Sequence, residues 1–219
     1  MLTWNFEELR DLCRGKSIPE DTISKFSNFA EALHWRYKRA EFHAQQAHKI
    51  LDKLSALTIT SCNDEDYNEL VFEYEAYVEA CVQSLHSVSD ILGQIINLLI
   101  LYEQFSEDKI SLKIVINHMI QNEIAPDILD EINKLFCSYE FCYIQAFCNT
   151  IKHRRLIETE FRGEFGKDRR NEEGVVFVEF DYKGVTYPKT WAKDIIDKYR
   201  EEIFNLVVEV GLKVNDFVR

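Results

Sequence analysis

The sequence predicts a mainly α protein, an up-and-down bundle of long antiparallel helices with a small antiparallel β insertion before the C-terminal helix. Three observations carry this expectation. Among 219 residues there are only 3 prolines and 7 glycines, too few for a turn-rich all-β chain. Apolar residues recur every three or four positions over two very long stretches. Four of the seven glycines (Gly163, Gly166, Gly174, Gly184) fall between residues 157 and 188, where recurrence gives way to alternation. With 46% hydrophobic residues the chain can bury a continuous core, and the reading is of a single domain spanning residues 1–219, with the β insertion at about 157–188.

The elements follow in order. A first helix is expected over about Trp4 to Cys13, stopped by Arg14-Gly15-Lys16. Ser17 and Glu20 have capping-box spacing around Pro19, and Ile23, Phe26, Ala30, Leu33, Tyr37, Ala40, Ala44, Ala47, Leu51 and Leu54 then mark one face of a helix over residues 19–58. Acidic residues at 63–66 suit a helix start, and Leu70, Tyr74, Tyr77, Cys81, Leu85, Val88, Leu92, Ile95 and Leu99 extend a second long helix to about Phe105. A shorter helix is read over Ile110 to Gln121. Pro126 is placed to open another that runs to about Ile157. Val176, Val178, Phe180 and Tyr182 alternate as on a strand, and Lys183-Gly184 reads as a hairpin turn before Val185-Thr186-Tyr187. A final helix from about Thr190 to Phe217 carries Trp191, Ile195, Tyr199, Ile203, Leu206, Val210 and Val214 on its apolar stripe.

Twenty-six basic against 38 acidic residues give a net charge of −12, which argues against broad binding to duplex nucleic acid, since that requires many phosphate-neutralising contacts. No secretory signal is read at the N-terminus, where Glu7, Glu8, Arg10 and Asp11 interrupt any apolar stretch. The most apolar run, Ile91 to Leu101, is about half the roughly 20 residues of a membrane span. Six cysteines without a Cys-x-x-Cys pair read as reduced core thiols of a cytoplasmic protein that makes no membrane contact. A lone Glu31-x-x-His34 is one half of what a di-metal bundle requires, so neither a metal nor a cofactor is expected.

Two polar stripes interrupt the apolar helices. Glu79, Gln83, His86, Asp90, Gln94 and Asn97 follow one another at helical steps, and Gln145, Asn149, Lys152 and His153 share a face of the later helix. Polar groups entering a buried space need partners. One reading is a hydrogen-bonded seam that fixes helix register. Another is a site in which His86 or His153 moves a proton, Asn149 and Gln94 orient a ligand and Lys152 neutralises an anion. A small-molecule pocket formed by His86, Asp90, Asn149 and His153 is a third.

The segment Phe147-Cys148-Asn149-Thr150-Ile151-Lys152-His153-Arg154-Arg155 resembles the end-of-helix motif of the HEPN superfamily, helical-bundle proteins of prokaryotic toxin, antiviral and stress systems, many of them dimeric, metal-independent ribonucleases. The family pattern is Arg, often followed by Asn, then three residues and His. Asn149 and His153 match it, and the Tyr-rich helix from Tyr74 through Asp90 is similar to the preceding helix of such bundles. The resemblance implies His153 and Asn149 as catalytic residues, with His153 acting at the ribose 2′-hydroxyl or the leaving group and RNA as substrate. The position expected to hold arginine is Cys148, a neutral thiol that cannot supply a forked, permanently charged donor. Arginine in its place would restore that charge, and Lys152, Arg154 or Arg155 are the other candidates to supply it.

From Lys152 to Arg170 seven basic residues face four acidic ones, a local +3 on a body that carries −15 elsewhere. Such a segment can hold a short stretch of RNA, or can guard a sheet edge against aggregation. Large aromatics (Trp35, Tyr37, Phe42, Tyr74, Tyr77) suggest more apolar surface than one bundle buries, hence a homodimer. The non-enzymatic alternative is a helical dimer that engages a protein partner. His86, Asp90, Gln94, Lys152, Arg154 and Arg155 are the expected substrate-binding residues.

Overall fold

The computed structural model describes residues 4–59, 64–166 and 169–219. Cys62, Asn63, Lys167 and Asp168 lie outside the described residues, as do the side chains of Glu164, Arg169 and Arg170 in the basic segment. In chain order the elements are α1 (Phe6–Gly15), α2 (Glu20–Ile59), α3 (Asp64–Leu99), a 3-10 turn (Glu107–Lys109), α4 (Leu112–Gln121), α5 (Pro126–Cys137) and α6 (Tyr139–His153). Five strands follow: β1 (Thr159–Gly166), β2 (Arg169–Phe177), β3 (Phe180–Tyr182), β4 (Val185–Tyr187) and β5 (Thr190–Trp191). The chain closes with α7 (Ala192–Asp194), a π-helical segment (Ile195–Tyr199) and α8 (Arg200–Val218). This is the expected class, a mainly helical bundle with a small antiparallel β segment before the C-terminal helix. Among the described residues no helix is long and apolar enough to cross a membrane.

The chain divides into two compact units, and both long helices contribute to each. The first unit comprises residues 1–38, 85–141 and 202–219. Its core draws on Phe26 and Leu33 of α2, Leu92 and Ile95 of α3, Ile132 of α5 and Val207 and Val210 of α8, all fully buried. Trp4 is locked into it because its indole Nε1 donates to Asn215 Oδ1 at 3.0 Å. Asn5 caps α1 by accepting from the Glu8 backbone N–H. Gly93 of α3 is required for contact with the start of α4, since a Cβ there would sit 3.1 Å from the Leu112 backbone nitrogen.

The second long helix stops at Leu99, six residues before the expected Phe105. Apolar periodicity continues through Ile100 and Leu101, both buried, but the backbone turns over: Tyr102 and Glu103 take φ of 52° and 58°. Asn97 sustains that exit, its side chain donating to the Phe105 carbonyl at 3.0 Å and accepting the Phe105 N–H at 3.1 Å. An asparagine in an apolar run thus ends the helix rather than lining a site.

The second unit comprises residues 39–84 and 142–201. Antiparallel β1 and β2 pair from Thr159↔Phe177 to Gly166↔Arg169, and β2 also pairs with β5. β3 and β4 form a separate hairpin. The expected turn at Lys183-Gly184 is present, with φ of 52° and 80° at its two central residues as a tight hairpin needs. The alternation of Val176, Val178, Phe180 and Tyr182 does not form one strand but is divided between the end of β2 and β3, while β1 lies within the expected insertion although glycine and charge break up its own alternation. Val175, Val176 and Phe177 are buried consecutively, so β2 is covered on both faces at its end. Tyr143 of α6, fully buried, has Phe180, Tyr187 and Tyr199 against it edge-on, with ring centroids 5.4–5.8 Å apart.

Two further expectations are corrected. The helix opened by Pro126 is two helices, broken at Ser138, whose extended backbone (φ −61°, ψ 146°) lets its hydroxyl donate to the Leu135 carbonyl and accept the Phe141 N–H. The C-terminal helix starts at Ala192, because Thr190 and Trp191 pair with β2. Of the five aromatics expected to be in excess, Tyr37 and Tyr74 are buried, Tyr77 is half-buried, and Trp35 and Phe42 are exposed.

Candidate nucleic-acid interface

Helix α6 presents two unlike faces within one turn. Ile144, Phe147 and Cys148 are fully buried, and they fix which way the opposite face looks. Asn149 is half-buried, and Lys152, His153, Arg154 and Arg155 are exposed. The helix ends there because the N–H groups of Arg154 and Arg155 both turn back to the Thr150 carbonyl, at 2.9 and 3.1 Å. Ile157, buried, re-anchors the chain before β1. Cations at a helix C-terminus are favoured by its unpaired carbonyls, so this end of α6 is a stable place to gather positive charge.

The predicted residues fall into two groups. Asn149, Lys152, His153, Arg154 and Arg155 are brought together at the end of α6, in the second unit, while His86, Asp90 and Gln94 belong to the first. The Asn149 amide donates to the Gln145 carbonyl at 2.7 Å, which holds it along its own helix beside His153. Among the described residues, Lys152, Arg154, Arg155 and Lys183 make no ion pair. By contrast, the sheet's Lys189 and Arg162 are both bound by Glu160, at 2.8 and 2.6 Å, and hold that carboxyl below the usual carboxylate range.

Cys148 is not a surface position. Its thiol is completely buried, and burial pushes it above its ordinary range while the hydrogen-bonded Lys152 ammonium pulls the other way. Arginine at 148 would therefore enter the core instead of the exposed end of α6, and the cation that acts on the thiol is Lys152. In the first unit His86 is half-buried and Asp90 is exposed, not enclosed as its apolar neighbours suggested. Gln94 donates to the Glu107 carbonyl at 2.8 Å and so, with Asn97, holds the segment that follows α3.

Sequence reasoning missed three features. Tyr182, read only as a strand residue, carries two cations on its ring: the Arg154 guanidinium carbon lies 5.0 Å and Lys183 Nζ 5.1 Å from the centroid. The available signal was the aromatic-basic pair at the hairpin tip. His48 lies with Nε2 2.8 Å from Asp197 Oδ1 in the π-helical segment, where the carbonyl of Ile196 receives the Arg200 guanidinium at 2.7 Å. Tyr74 is fully buried, its hydroxyl has no hydrogen-bond partner among the described residues, and burial raises its pKa far above the ordinary value. No local pattern distinguishes either of these last two from ordinary helix residues.

Compared with family models, with curated proteins and with solved structures, the chain matches none.

Proposed function

We propose that this chain is a HEPN-like, homodimeric RNA-binding protein of the prokaryotic defence or stress type, and that His153 cleaves the bound RNA without a metal. One observation supports the reading above all: the end of α6 gathers Lys152, His153, Arg154 and Arg155 in solvent, with no ion pair to the three cations among the described residues. On a body of net charge −12, such a cluster favours a phosphate locally without general affinity for polyanions. His153 would take the 2′-hydroxyl proton or return one to the leaving 5′-oxygen. Lys152 and the arginines would supply the charge that Cys148 does not, and Asn149 would orient the phosphodiester. For Gln94 the structural reading is favoured, because its amide is engaged by the Glu107 carbonyl.

The test is anisotropy of a fluorescein-labelled 20-nucleotide RNA over a salt series, with EDTA present throughout. Wild type should bind, with log K falling linearly with log salt. The triple variant Lys152→Ala, Arg154→Ala, Arg155→Ala should lose affinity and lower that slope by about 2, at roughly 0.7 per phosphate contact on single strands. In the same buffer, 2′,3′-cyclic phosphate ends should accumulate with wild type and not with His153→Ala. Absence of binding at 20 mM salt would overturn the whole reading, whereas binding without cleavage removes only the nuclease step. Light scattering should return twice the chain mass.

A further inference from the structure

The hairpin tip joins this surface through a single ring. Tyr182 is half-buried on β3, and the residues around it at the turn, Asp181, Lys183 and Gly184, are exposed. Arg154, one residue beyond His153, reaches it with its guanidinium, and Lys183 reaches it from the turn. Lys183 does so from a left-handed backbone (φ 52°), a conformation for which asparagine or glycine would be the unstrained choice at this turn position. A cationic side chain is thus held at a place where the backbone favours another residue. Neither cation has a carboxylate partner among the described residues, although exposed Glu158 and Asp181 are nearby in sequence.

Resting on the RNA-binding reading above, we infer that Tyr182, Arg154 and Lys183 form a stacking subsite for an unpaired nucleotide, and hence that the RNA bound at α6 is single-stranded. A flat guanidinium or phenol ring stacks on any nucleobase, but only when the base is out of a helix. Duplex RNA hides its base faces and offers phosphates spread along two strands, which a patch this small on an acidic protein cannot follow. Arg154 supplies a plane and a charge at one position, Tyr182 supports that plane, and Lys183 is left to meet the adjoining phosphate. The subsite begins one residue from His153, so a base stacked here is tethered beside the only exposed imidazole of α6.

The experiment uses a 12-nucleotide, 2′-O-methylated RNA that cannot be cleaved, with one 2-aminopurine, single-stranded or annealed to its complement, titrated with the full chain at low salt in EDTA. The single strand should bind more tightly than the duplex, and its 2-aminopurine emission should be quenched by stacking. Tyr182→Ala and Tyr182→Leu should each weaken single-strand binding about tenfold or more and abolish quenching, with an unchanged salt slope. Tyr182→Phe should retain both. Lys183→Gln should lower the salt slope by about 0.7. Circular dichroism matching wild type, for Leu if not for Ala, keeps the comparison valid. If wild type binds RNA but Tyr182→Leu binds and quenches equally, or the duplex binds as well as the single strand, the subsite is overturned and RNA binding at α6 stands. If wild type binds neither, the RNA reading itself has failed.

Discussion

Gly211 of α8 lies directly against the indole of Trp4, so closely that a Cβ at 211 would fall inside the ring's van der Waals surface. The indole cannot retreat, since Nε1 is bonded to buried Asn215. Gly211→Ala should therefore destabilise the protein by about 1–3 kcal/mol, the usual penalty for overpacking. Thermal unfolding should show the midpoint falling by several degrees, and an unchanged midpoint would mean that Trp4 does not occupy this site.

Ser138 should behave as a helix cap despite lying inside what the sequence presents as one helix. Its hydroxyl satisfies the Phe141 N–H and the Leu135 carbonyl, so Ser138→Ala should cost about 1 kcal/mol. Urea unfolding measures this, and Ser138→Asp, which can still accept the N–H, should recover most of the loss.

Cys148→Arg, which the family pattern suggests would restore activity, should instead unfold the second unit. The position is fully buried, and an unpaired guanidinium there costs several kcal/mol after relaxation. Cys148→Ala should remain folded. A folded, more active Cys148→Arg protein would show that position 148 reaches solvent.

Buried thiols set an alkaline limit. Burial pushes Cys81 from its ordinary 9.0 up to about 12, and raises Cys13 and Cys148 as well. The folded state keeps protons that the unfolded chain releases, so this stability is complete below pH 9 and declines as pH rises through the raised folded values, about 12 for Cys81. The slope is up to about 1.4 kcal/mol per pH unit for each thiol. Urea titrations at pH 8 and pH 10 should show the decline, and Cys81→Ala should make it shallower.

His43 gives the opposite limit. Burial, then the Arg39 charge, lowers its imidazole below the ordinary 6.5, so the folded state binds this proton less readily than the unfolded chain. Its contribution is complete above pH 6.5 and is lost as pH falls through the depressed value. His43→Gln should therefore lose less stability than wild type between pH 7.5 and pH 5, and an identical loss would show that another group dominates.

Long-range periodicity made α2 legible to within a residue at each end, because forty residues of three-and-four spacing admit no competing period. What stayed hidden depended on single side chains. Asn97 ends α3 inside an apolar run, and Ser138 breaks α5 from α6 without proline or glycine. The Lys183-Gly184 turn was legible because its backbone demands a residue tolerant of positive φ. Of the candidate interface, the α6 cations were visible as a motif. Tyr182 was not, since its meeting with Arg154 spans 28 residues of chain, and burial of Cys148 depends on which face of α6 the core takes.

The π-helical segment Ile195–Tyr199 also bears on how this chain tolerates changes in length. A π turn holds one residue more than the α-helical turn it replaces, as if a residue had been inserted and bulged out. Removing one residue from 195–199 would let the helix close into regular α geometry, with Phe204, Val207 and Val210 still on their buried sides, while the Asp197 bond to His48 would be lost. A deletion near the middle of α8, several turns beyond the bulge, has no such slack beside it and would turn the residues after it by about 100° relative to those before it. One stretch of helical sequence therefore holds a place where the loss of a codon is absorbed locally, and beyond it a longer one where it is not.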